Sequence, residues 1–493
     1  MEKFKLLNNI NPNRIFILQK SEIEKRLDPY FYLPKFKTII EKISILPNQR
    51  LSLISEKIFS GSTPLSGGDA YTDKKNGIAF IRSGDFNVDG LINFDDLVYI
   101  KPEIHEKNLV SSQLRENDLL FAIVGATIGK VGIYKNTQKA NINQAICAVR
   151  LQNGLNVNYV NAFFQTSIGQ SLIDRIKRPV ARANINLDEI ASLPIIIPDI
   201  ETQEKVVATF QNSLIQKTKL EAEAEKLLAS IDDYLLGELG IKMPTENDVD
   251  AIVRYQGFEL DKQNSLVKKG RLFLTGFREI GGRRFDAKYQ QKYFTNTIQA
   301  INKSKYRVEH FRHLICDLKN GIEIRDYVGN NGLRYLRVTD LGKNGLNDDS
   351  PRFVEIQEIL ERIKLNEKCI LISRSGSLGL VNVFEPKLSN AILSSHIFKV
   401  ELNTEIINPL YLEVYLRSKI GQTEIFRNNN GGVIPEINQE ALKSIHIAVP
   451  PIEKQNEIAL HISEIRTEAK RLQIESIKIL ETAKQEIEQL ILE

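Results

Sequence analysis

The chain has 493 residues, 42% hydrophobic and 26% charged, so at about 150 residues per domain it should form two to four units. Its net charge of +4 permits a polyanionic partner without requiring one. No apolar run approaches the roughly 18 residues of a membrane span, and the start lacks the apolar region of a signal peptide. The three scattered cysteines suggest neither a disulfide frame nor a metal cluster, so a reducing cytoplasm is expected.

Five stretches of the first half return, in the same order, in the second half. They are RLDPYFY from Arg26 and RFDAKYQ from Arg284, IAFIRSGDF from Ile78 and LRYLRVTDL from Leu333, NDLLFAIVGATIGKVGIY from Asn117 and EKCILISRSGSLGLVNVF from Glu367, ANINQAICAVRL from Ala140 and AILSSHIFKVEL from Ala391, and LPIIIPDIETQEKVV from Leu193 and IHIAVPPIEKQNEIA from Ile445. A period near 250 residues is too long for a solenoid. Each repeat should therefore contain a domain with its own core.

The first part of each repeat, called a head below, alternates short β-rich runs with turns. GIAFIRSGDF, LLFAIVG and AICAVRL have the β-branched and aromatic content of strands. VNYVNAFFQTSIGQSLIDRI and NPLYLEVYLRSKIGQTEIF have the periodicity of helices. The heads are therefore expected to be two α/β (α+β) domains, related by pseudo-twofold symmetry.

The second part of each repeat predicts a long helix. Pro198 and the pair Pro450–Pro451 should end the last strand of each head and start the helix, because proline fits the first turn. Residues spaced three and four apart then form a coiled-coil seam. Its members include Gln203, Val207, Phe210, Leu214, Leu228 and Ile231 in the first helix and Ile462, Ile465, Leu472 and Ile479 in the second. These residues and Gln455 are the candidates for the spacer and for partner docking. Two helices of about 38 residues, or about 57 Å, should pack together as an antiparallel spacer between the heads.

Lys217 and Glu221 interrupt the first seam, which indicates a packing surface other than a simple dimer zipper. The expected order along the chain is a first head at 1–197, a spacer helix at 198–240, a connecting segment at 241–284, a second head at 285–449 and a second spacer helix at 450–493.

Motifs that would indicate catalysis are incomplete. VGATIGKVG is one residue short of a phosphate loop and lacks Ser or Thr after its lysine, so a tight turn between two strands is favoured. His310 and His313 have helical spacing but no third ligand nearby in sequence. Ser62, Ser83 and Ser375 have no evident histidine partner in the sequence. We therefore expect no active site and no bound metal.

The ordered, duplicated motifs resemble the specificity subunit of type I restriction-modification systems. The resemblance runs from about residue 20 to the end, and its motifs are the Arg-Leu/Phe-Asp element before an aromatic residue, the Gly-Ser-Thr-Pro loop after LISEKIFS, the Ile-Arg-Ser-Gly-Asp-Phe strand end, the Gly-x-x-x-Gly hairpin and the doubled Pro-x-x-Glu-x-Gln helix entry.

The resemblance implies two target-recognition domains, each reading half of a bipartite double-stranded DNA site. It further implies helices that space the heads and dock two DNA adenine methyltransferase subunits, restriction/translocase subunits in the full assembly, and a role in phage defence. This chain would be non-catalytic, and S-adenosylmethionine, ATP and Mg²⁺ would bind to the partner subunits. The Gly-Ser-Thr-Pro loop of the first repeat has no clear equal in the second, which implies that the heads read DNA through different loops.

Direct reading of a duplex requires polar and cationic side chains at base edges, with further cations on phosphates. Any single surface residue of these types can equally be a solvated charge. The candidates for DNA contact are Ser62, Thr63, Lys74, Lys75, Arg82, Ser83, Lys130, Arg175, Lys177, Arg178, Arg182 and Asn184 in the first head, and Lys319, Arg325, Arg337, Arg374, Ser375, Arg427 and Asn428 in the second.

Three alternatives stay open at this point. The chain could be the two-headed specificity subunit of another bipartite-site restriction system. It could be a DNA-modifying enzyme in its own right, in which case the isolated chain would bind a methyl donor. It could also be a coiled-coil scaffold without a DNA role, which salt-dependent retention on DNA would contradict.

Overall fold

The computed structural model describes residues 11, 14–24, 26–64, 69–87, 89–94, 96–178, 184–244, 284, 286, 289–342, 345–356 and 364–493. The chain divides into two compact units, which are Met1–Glu221 with Gln473–Glu493, and Ala222–Leu472. Of the connecting segment predicted at 241–284, only 241–244 and 284 are described, and the candidate Arg182 lies outside the described residues.

The first unit combines short strands with helices. Its helices are α1 (Pro34–Ser44), α2 (Leu51–Ile54), α3 (Val157–Gln165), α4 (Ser167–Ile176), α5 (Leu187–Ala191) and the first part of α6 (Ile200–Leu239). Its strands are β1 (Asn48–Arg50), β2 (Ser55–Ser60), β3 (Tyr71–Thr72), β4 (Ile78–Ile81), β5 (Val98–Ile100), β6 (Asp118–Ala122), β7 (Val131–Tyr134), β8 (Ala140–Ile142), β9 (Ile146–Leu151) and β10 (Pro194–Ile196).

Two four-stranded sheets organise this unit. One is antiparallel with the order β2-β9-β6-β7, and the other has the order β3-β5-β4-β8 with β4 and β8 parallel. Strand β6 is buried on both faces, because Leu119 and Phe121 belong to a core formed with α3 and α4 whereas Leu120 belongs to a core between the sheets. A strand covered on both faces explains the almost continuous apolar run LLFAIV.

The second unit contains the remaining elements. Its helices are α7 (Lys292–Asn302), α8 (Pro409–Arg417), α9 (Lys419–Arg427), α10 (Gln439–Lys443) and the first part of α11 (Ile452–Leu492). Its strands are β11 (Arg307–His310), β12 (Ile315–Asn320), β13 (Leu333–Leu336), β14 (Leu341–Gly342), β15 (Gly345–Leu346), β16 (Arg352–Val354), β17 (Cys369–Ser373), β18 (Val381–Val383), β19 (Ile392–Leu393), β20 (Ile397–Leu402) and β21 (His446–Val449).

The second unit repeats the topology of the first. Its four-stranded antiparallel sheet has the order β12-β20-β17-β18, and β13 pairs in parallel with β19 just as β4 pairs with β8. Even the irregularity at the start of the first strand recurs, with a register shift between Ser55 and Lys57 in β2 and between Ile315 and Asp317 in β12. The duplication and the mixed α/β class predicted from sequence are confirmed.

The hairpin between the two central strands differs by one residue. Leu119 occupies the position of Ile370, 251 residues further on, whereas Val131 occupies the position of Val381, 250 residues further on. The sequence alignment at a constant offset of 250 is therefore wrong by one residue for the first strand of this hairpin. The tight turn is confirmed, because Gly125, Gly129, Gly376 and Gly379 all have positive φ.

Each of the two stretches predicted as one helix forms two. The first stretch breaks at Thr166 and the second at Ser418, and both residues have an extended backbone with ψ near 167° and 165°. Their hydroxyl oxygens accept hydrogen bonds from the amides of Gly169 and Gly421, which caps the next helix. Apolar periodicity continues through such a break, so it conceals the break in the sequence.

The long helices begin where the prolines predict, and α6 and α11 contain 40 and 41 residues. In the first unit, Val206 and Phe210 share a core with Leu480, Ile487 and Ile491. In the second unit, Leu235 and Leu239 share a core with Ile458 and Ile462. Lys454 lies 2.7 Å from Glu238, and the rings of Tyr234 and His461 are 4.3 Å apart, so the helices run antiparallel there.

Candidate nucleic-acid interface

In the first unit, four chain segments meet at one end of the central sheet. Gly61 follows β2 and approaches the β8–β9 turn so closely that a Cβ atom would overlap the Ile142 carbonyl oxygen. Beside it, the Ile123 amide donates to the Ala145 oxygen at 2.9 Å, and Val124 forms a β-bridge with Asn184. We call these segments (61–64, 124–129, 143–145 and Asn184) the first loop face.

The same four segments meet in the second unit. A Cβ atom on Gly321 would overlap the Leu393 carbonyl oxygen, the Arg374 amide donates to His396 at 2.9 Å, and Ser375 forms a bridge with Glu436. We call segments 321–325, 374–379, 394–396 and Glu436 the second loop face. The pairing of Ser60 with Cys147 and of Asn320 with Phe398 makes Gly61 and Gly321 equivalent. The Gly-Ser-Thr-Pro loop therefore has a positional equivalent at Gly321–Ile324, although the two loops share only the glycine.

Polar side chains join two of the segments on each loop face. On the first, the exposed Thr63 hydroxyl donates to the Gln144 side-chain oxygen, and Ser62 and Asn184 are exposed beside them. On the second, the Ser395 hydroxyl donates to Glu323 Oε2 at 2.8 Å, and Arg325 Nε donates to Oε1 at 3.2 Å. These two donors, Ser395 first, hold the pKa of the Glu323 carboxyl below its usual range.

Ser375 has a histidine partner that the sequence did not reveal. Its Oγ lies 2.5 Å from His396 Nδ1, and the buried Ser375 hydroxyl thereby links two segments of the second loop face. Position 396 is Ala145 in the first repeat, so the pair is confined to one head. Arg374, the neighbouring candidate, forms an ion pair with Glu436.

Arg175 and Arg427 occupy equivalent positions, and each lies over one aromatic ring. The Arg175 guanidinium lies 3.6 Å from the Phe31 ring centre and donates to the Phe31 carbonyl, and the Arg427 guanidinium lies 3.7 Å from the Tyr289 ring centre and donates to the Tyr289 carbonyl. Arg427 is only 5% exposed. These arginines hold the Arg-x-Asp segment against the head, and the DNA contact expected of them stays a prediction.

Arg26 and Arg284 are the arginines of the two Arg-x-Asp segments. Each donates through Nε at 2.8 Å to the aspartate two residues later, Asp28 or Asp286. Asn428, a further candidate, is 3% exposed, and its Nδ2 donates to the Glu424 carbonyl. Asn428 is therefore engaged within the fold, and its contact with DNA stays a prediction.

Several other candidates are engaged within the heads. Lys130 Nζ donates to the Phe86 carbonyl at 2.8 Å, and Lys177 lies 3.4 Å from Asp174. Arg178 pairs with Glu189 at 3.1 Å but remains 48% exposed. Arg82 and Arg337 pair with Asp85 and Asp340 in matching turns, and Ser83 lies in the first of these turns. Their bonds fix the turns that follow β4 and β13.

The remaining cationic candidates are spread over the heads. Lys74 and Lys75 are exposed in the turn between β3 and β4. At the other end of β4, the Ile81 carbonyl accepts a hydrogen bond from the Asn143 amide of the first loop face. The two lysines therefore lie at the end of β4 that is away from this loop face. Lys319 is exposed on β12 next to Asp317. Arg325 is 86% exposed and belongs to the second loop face.

Most of the predicted spacer residues are buried or half-buried along the long helices, and two lie where a head joins its helix. Phe210, Ile462 and Leu472 are buried, and Val207, Leu214, Leu228, Ile231, Ile465 and Ile479 are half-buried. Gln203 and Gln455 instead close the helix entries, since each side chain donates to the carbonyl of the preceding proline, Pro198 or Pro450, at 2.9 and 2.8 Å. Lys217, which interrupts the seam, is buried against Asp89 of the head at 2.7 Å.

Sequence reasoning missed Gln144, Glu323, Ser395 and His396. Gln144, Ser395 and His396 lie within the repeated stretches that begin at Ala140 and Ala391. The sequence does not show, however, that the turns containing them meet the loops after β2 and β12, where Glu323 lies. Among the described residues, no helix is long and apolar enough to cross a membrane, and no group of three or more His, Cys, Asp or Glu side chains could hold a metal ion.

The sequence model of the family "Type I restriction modification DNA specificity domain" matches residues 54–229 and 328–487, one match in each repeat. The two matches cover more than half of the chain. The chain therefore belongs to this family of DNA specificity domains.

Similar proteins include specificity subunits from two organisms. The chain is 27% identical over 192 residues to the type I restriction enzyme EcoBI specificity subunit of Escherichia coli, a match that covers 38% of this chain and 40% of that protein. It is 31% identical over 113 residues to the MjaVIII specificity subunit of Methanocaldococcus jannaschii, which covers 23% and 25%. The matches thus span less than half of each relative's length.

Solved structures are also similar. The S subunit of the type I restriction-modification system of M. genitalium is 12% identical with a TM-score of 0.39, covering 88% of this chain and 95% of that one. A chain from a structural study of type I complex assembly is 13% identical with a TM-score of 0.43, covering 90% and 97%.

Proposed function

We propose that this chain is the DNA-specificity subunit of a type I restriction-modification complex and that each head reads one half of a bipartite double-stranded DNA site. The observation that carries the proposal is the repeated loop face, which presents polar side chains from loops held on a buried sheet in both units. Loops on a rigid scaffold are common carriers of binding residues. Membership of the DNA specificity family supports the same conclusion.

The chemistry of the loop faces suits the major groove, where base edges offer hydrogen-bond donors and acceptors. Gln144, Asn184, Glu323 and Arg325 are exposed and carry matching groups. Exposed cations outside the loop faces, among them Lys74, Lys75 and Lys319, would lie along phosphates. We therefore assign base reading to the loop faces and charge neutralisation to exposed lysines elsewhere on the heads.

The long helices are proposed to space the half-sites and to dock two DNA adenine methyltransferase subunits. Exposed apolar side chains on α6 and α11, namely Ile215, Leu460, Ile474 and Ile477, support a protein partner there. In this proposal the chain itself is non-catalytic and works in the cytoplasm, the partner subunits bind S-adenosylmethionine, ATP and Mg²⁺, and restriction/translocase subunits join the same assembly.

The test is a comparison of genome-wide adenine methylation in cells that contain the methyltransferase with and without this chain. We expect one split motif to be methylated only when the chain is present. Replacing residues 20–197 with another first head should change only one half of that motif. Absence of any chain-dependent motif would overturn the proposal, and saturable binding of S-adenosylmethionine by the isolated chain would favour an enzyme instead.

Retention of the purified chain on duplex DNA should weaken as salt rises, because neutralised phosphates release counterions on binding. Retention on DNA that does not change between low and high salt would contradict the assignment of the lysines to phosphates.

A further inference from the structure

The equivalence of the two loop faces pairs particular residues across the repeats. Thr63 corresponds to Glu323, because both follow the tightly packed glycines Gly61 and Gly321 by two residues. Gln144 corresponds to Ser395, because the turns that contain them join β8 to β9 and β19 to β20 in the same register.

Each loop face thus contains one short hydroxyl residue and one long polar residue joined by a hydrogen bond, in reversed order. In the first head the hydroxyl of Thr63 follows β2 and the long side chain, Gln144, lies in the β8–β9 turn. In the second head the long side chain, Glu323, follows β12 and the hydroxyl, Ser395, lies in the turn. The hydroxyl fixes the long side chain, which reduces the entropy lost when that side chain binds a ligand.

The two long side chains differ in the hydrogen bonds that they can make. Gln144 is exposed and carries both an amide donor and an acceptor. Glu323 has a side chain that is 52% exposed, and as a carboxylate it only accepts hydrogen bonds. Each carboxylate oxygen keeps a second lone pair beyond its bond to Ser395 or Arg325. An amide matches the N6 and N7 atoms of adenine, whereas a carboxylate matches the N4 amino group of cytosine.

We propose that Gln144 and Glu323 are specificity-determining residues, with Gln144 reading adenine in one half-site and Glu323 reading cytosine in the other. The inference rests on the proposed function and adds to it the residue and the base. It also explains why one fold, used twice, would read an asymmetric site.

The experiment offers a pool of randomised DNA duplexes to the purified full-length chain and sequences the bound fraction. Gln144→Glu should change adenine to cytosine at one position of one half-site, and Glu323→Gln should change cytosine to adenine in the other half-site. Each change should alter the preference at that position about fivefold or more, since one good base contact contributes about 1–3 kcal/mol.

Matched controls make the same chemical changes at the opposite end of each head. Gln138→Glu lies in the exposed β7–β8 connection, and Glu367→Gln is exposed just before β17. Both should leave the selected motif unchanged. Thermal unfolding of every variant checks that the heads are intact. The double variant Glu323→Thr with Ser395→Gln, which transplants the first head's pair, should also convert cytosine to adenine.

Retention of the wild-type motif by Gln144→Glu and Glu323→Gln would overturn the inference, as would an equal loss of affinity for all sequences, which indicates a phosphate contact. A wild-type chain that selects no motif would instead overturn the proposed function, so the two failures are distinguishable.

Discussion

Arg175 and Arg427 show that an arginine chosen as a candidate for DNA contact can make specific contacts within the fold. Each lies in the last turn of a helix, α4 or α9, and each places its guanidinium less than 4 Å from the centre of an aromatic ring. A cationic cluster such as RIKRPVARAN suggests nucleic acid from sequence alone. The aromatic partner lies about 140 residues earlier in the chain, so the sequence pattern does not indicate the contact between the arginine and the ring.

Replacing Arg427 with alanine should destabilise the second unit by about 2–3 kcal/mol, because a desolvated cation–π contact and a buried hydrogen bond are lost. Arg312→Ala, a matched change at an exposed site on the same unit, should alter stability by less than about 0.5 kcal/mol. Urea unfolding measures both. If Arg427→Ala kept full stability but lost DNA binding, Arg427 would belong to the DNA interface and its contacts in the fold would contribute little to stability.

The three cysteines should differ sharply in reactivity. Burial raises the pKa of the Cys147 and Cys369 thiols, whereas Cys316 is exposed on β12. Because the thiolate is the reactive form, a disulfide reagent should modify one thiol quickly in the native chain and all three in denaturant. Cys316→Ser should abolish the fast phase, and a second fast thiol in that variant would contradict the burial of the other two.

At the scale of elements, the starts of the two long helices are held by different numbers of side-chain hydrogen bonds. Gln455 is fully buried and makes three hydrogen bonds, donating to Pro450 and Ile406 and accepting from the Asn408 amide. Gln203 is half-buried and donates to Pro198. The same motif therefore fixes the second junction more firmly than the first.

Gln455→Met should cost about 2–4 kcal/mol of stability, because it leaves three backbone groups unpaired, at Pro450, Ile406 and Asn408, and the Pro450 carbonyl bond is fully buried. Gln203→Met serves as the matched change and should cost about 1 kcal/mol. Thermal unfolding of the two variants compares them, and equal losses would show that the buried bonds at Gln455 contribute little.

The elements themselves were largely predictable, whereas their assembly was not. Runs such as LLFAIVG predicted strands, and Pro198 predicted the start of α6 to within two residues. Local patterns contain no information on which strands become neighbours, and β2 pairs with β9 across about 90 residues of intervening chain. The loop faces depend on that pairing, so Gln144 and Glu323 could not be recognised, and only Ser62, Thr63, Asn184, Arg325, Arg374 and Ser375 among the candidates belong to them.

At the scale of the whole molecule, the proposed spacer role makes a metric prediction. Seven residues inserted into each of α6 and α11 would lengthen both by about 10 Å at 1.5 Å per residue. We expect the gap between the methylated half-sites to grow by about three base pairs, since base pairs are about 3.4 Å apart. Methylation sequencing measures the gap, with a seven-residue insertion in the exposed 135–139 connection as control.

An unchanged gap with intact methylation would contradict a role for the helices in setting the distance. A change in either half of the motif, with the gap preserved, would show instead that the insertion disturbs a head.

The first unit is built from two distant parts of the sequence, and this determines when it can fold. Its core includes Leu480, Ile487 and Ile491, which are supplied by the C-terminal end of the chain, whereas the rest of the unit is complete by Glu221. At about 5–20 residues per second, a ribosome needs roughly tens of seconds to reach those leucine and isoleucine codons. During translation the nascent first head therefore keeps part of its apolar core exposed until residues 480–491 have been made and can pack against it.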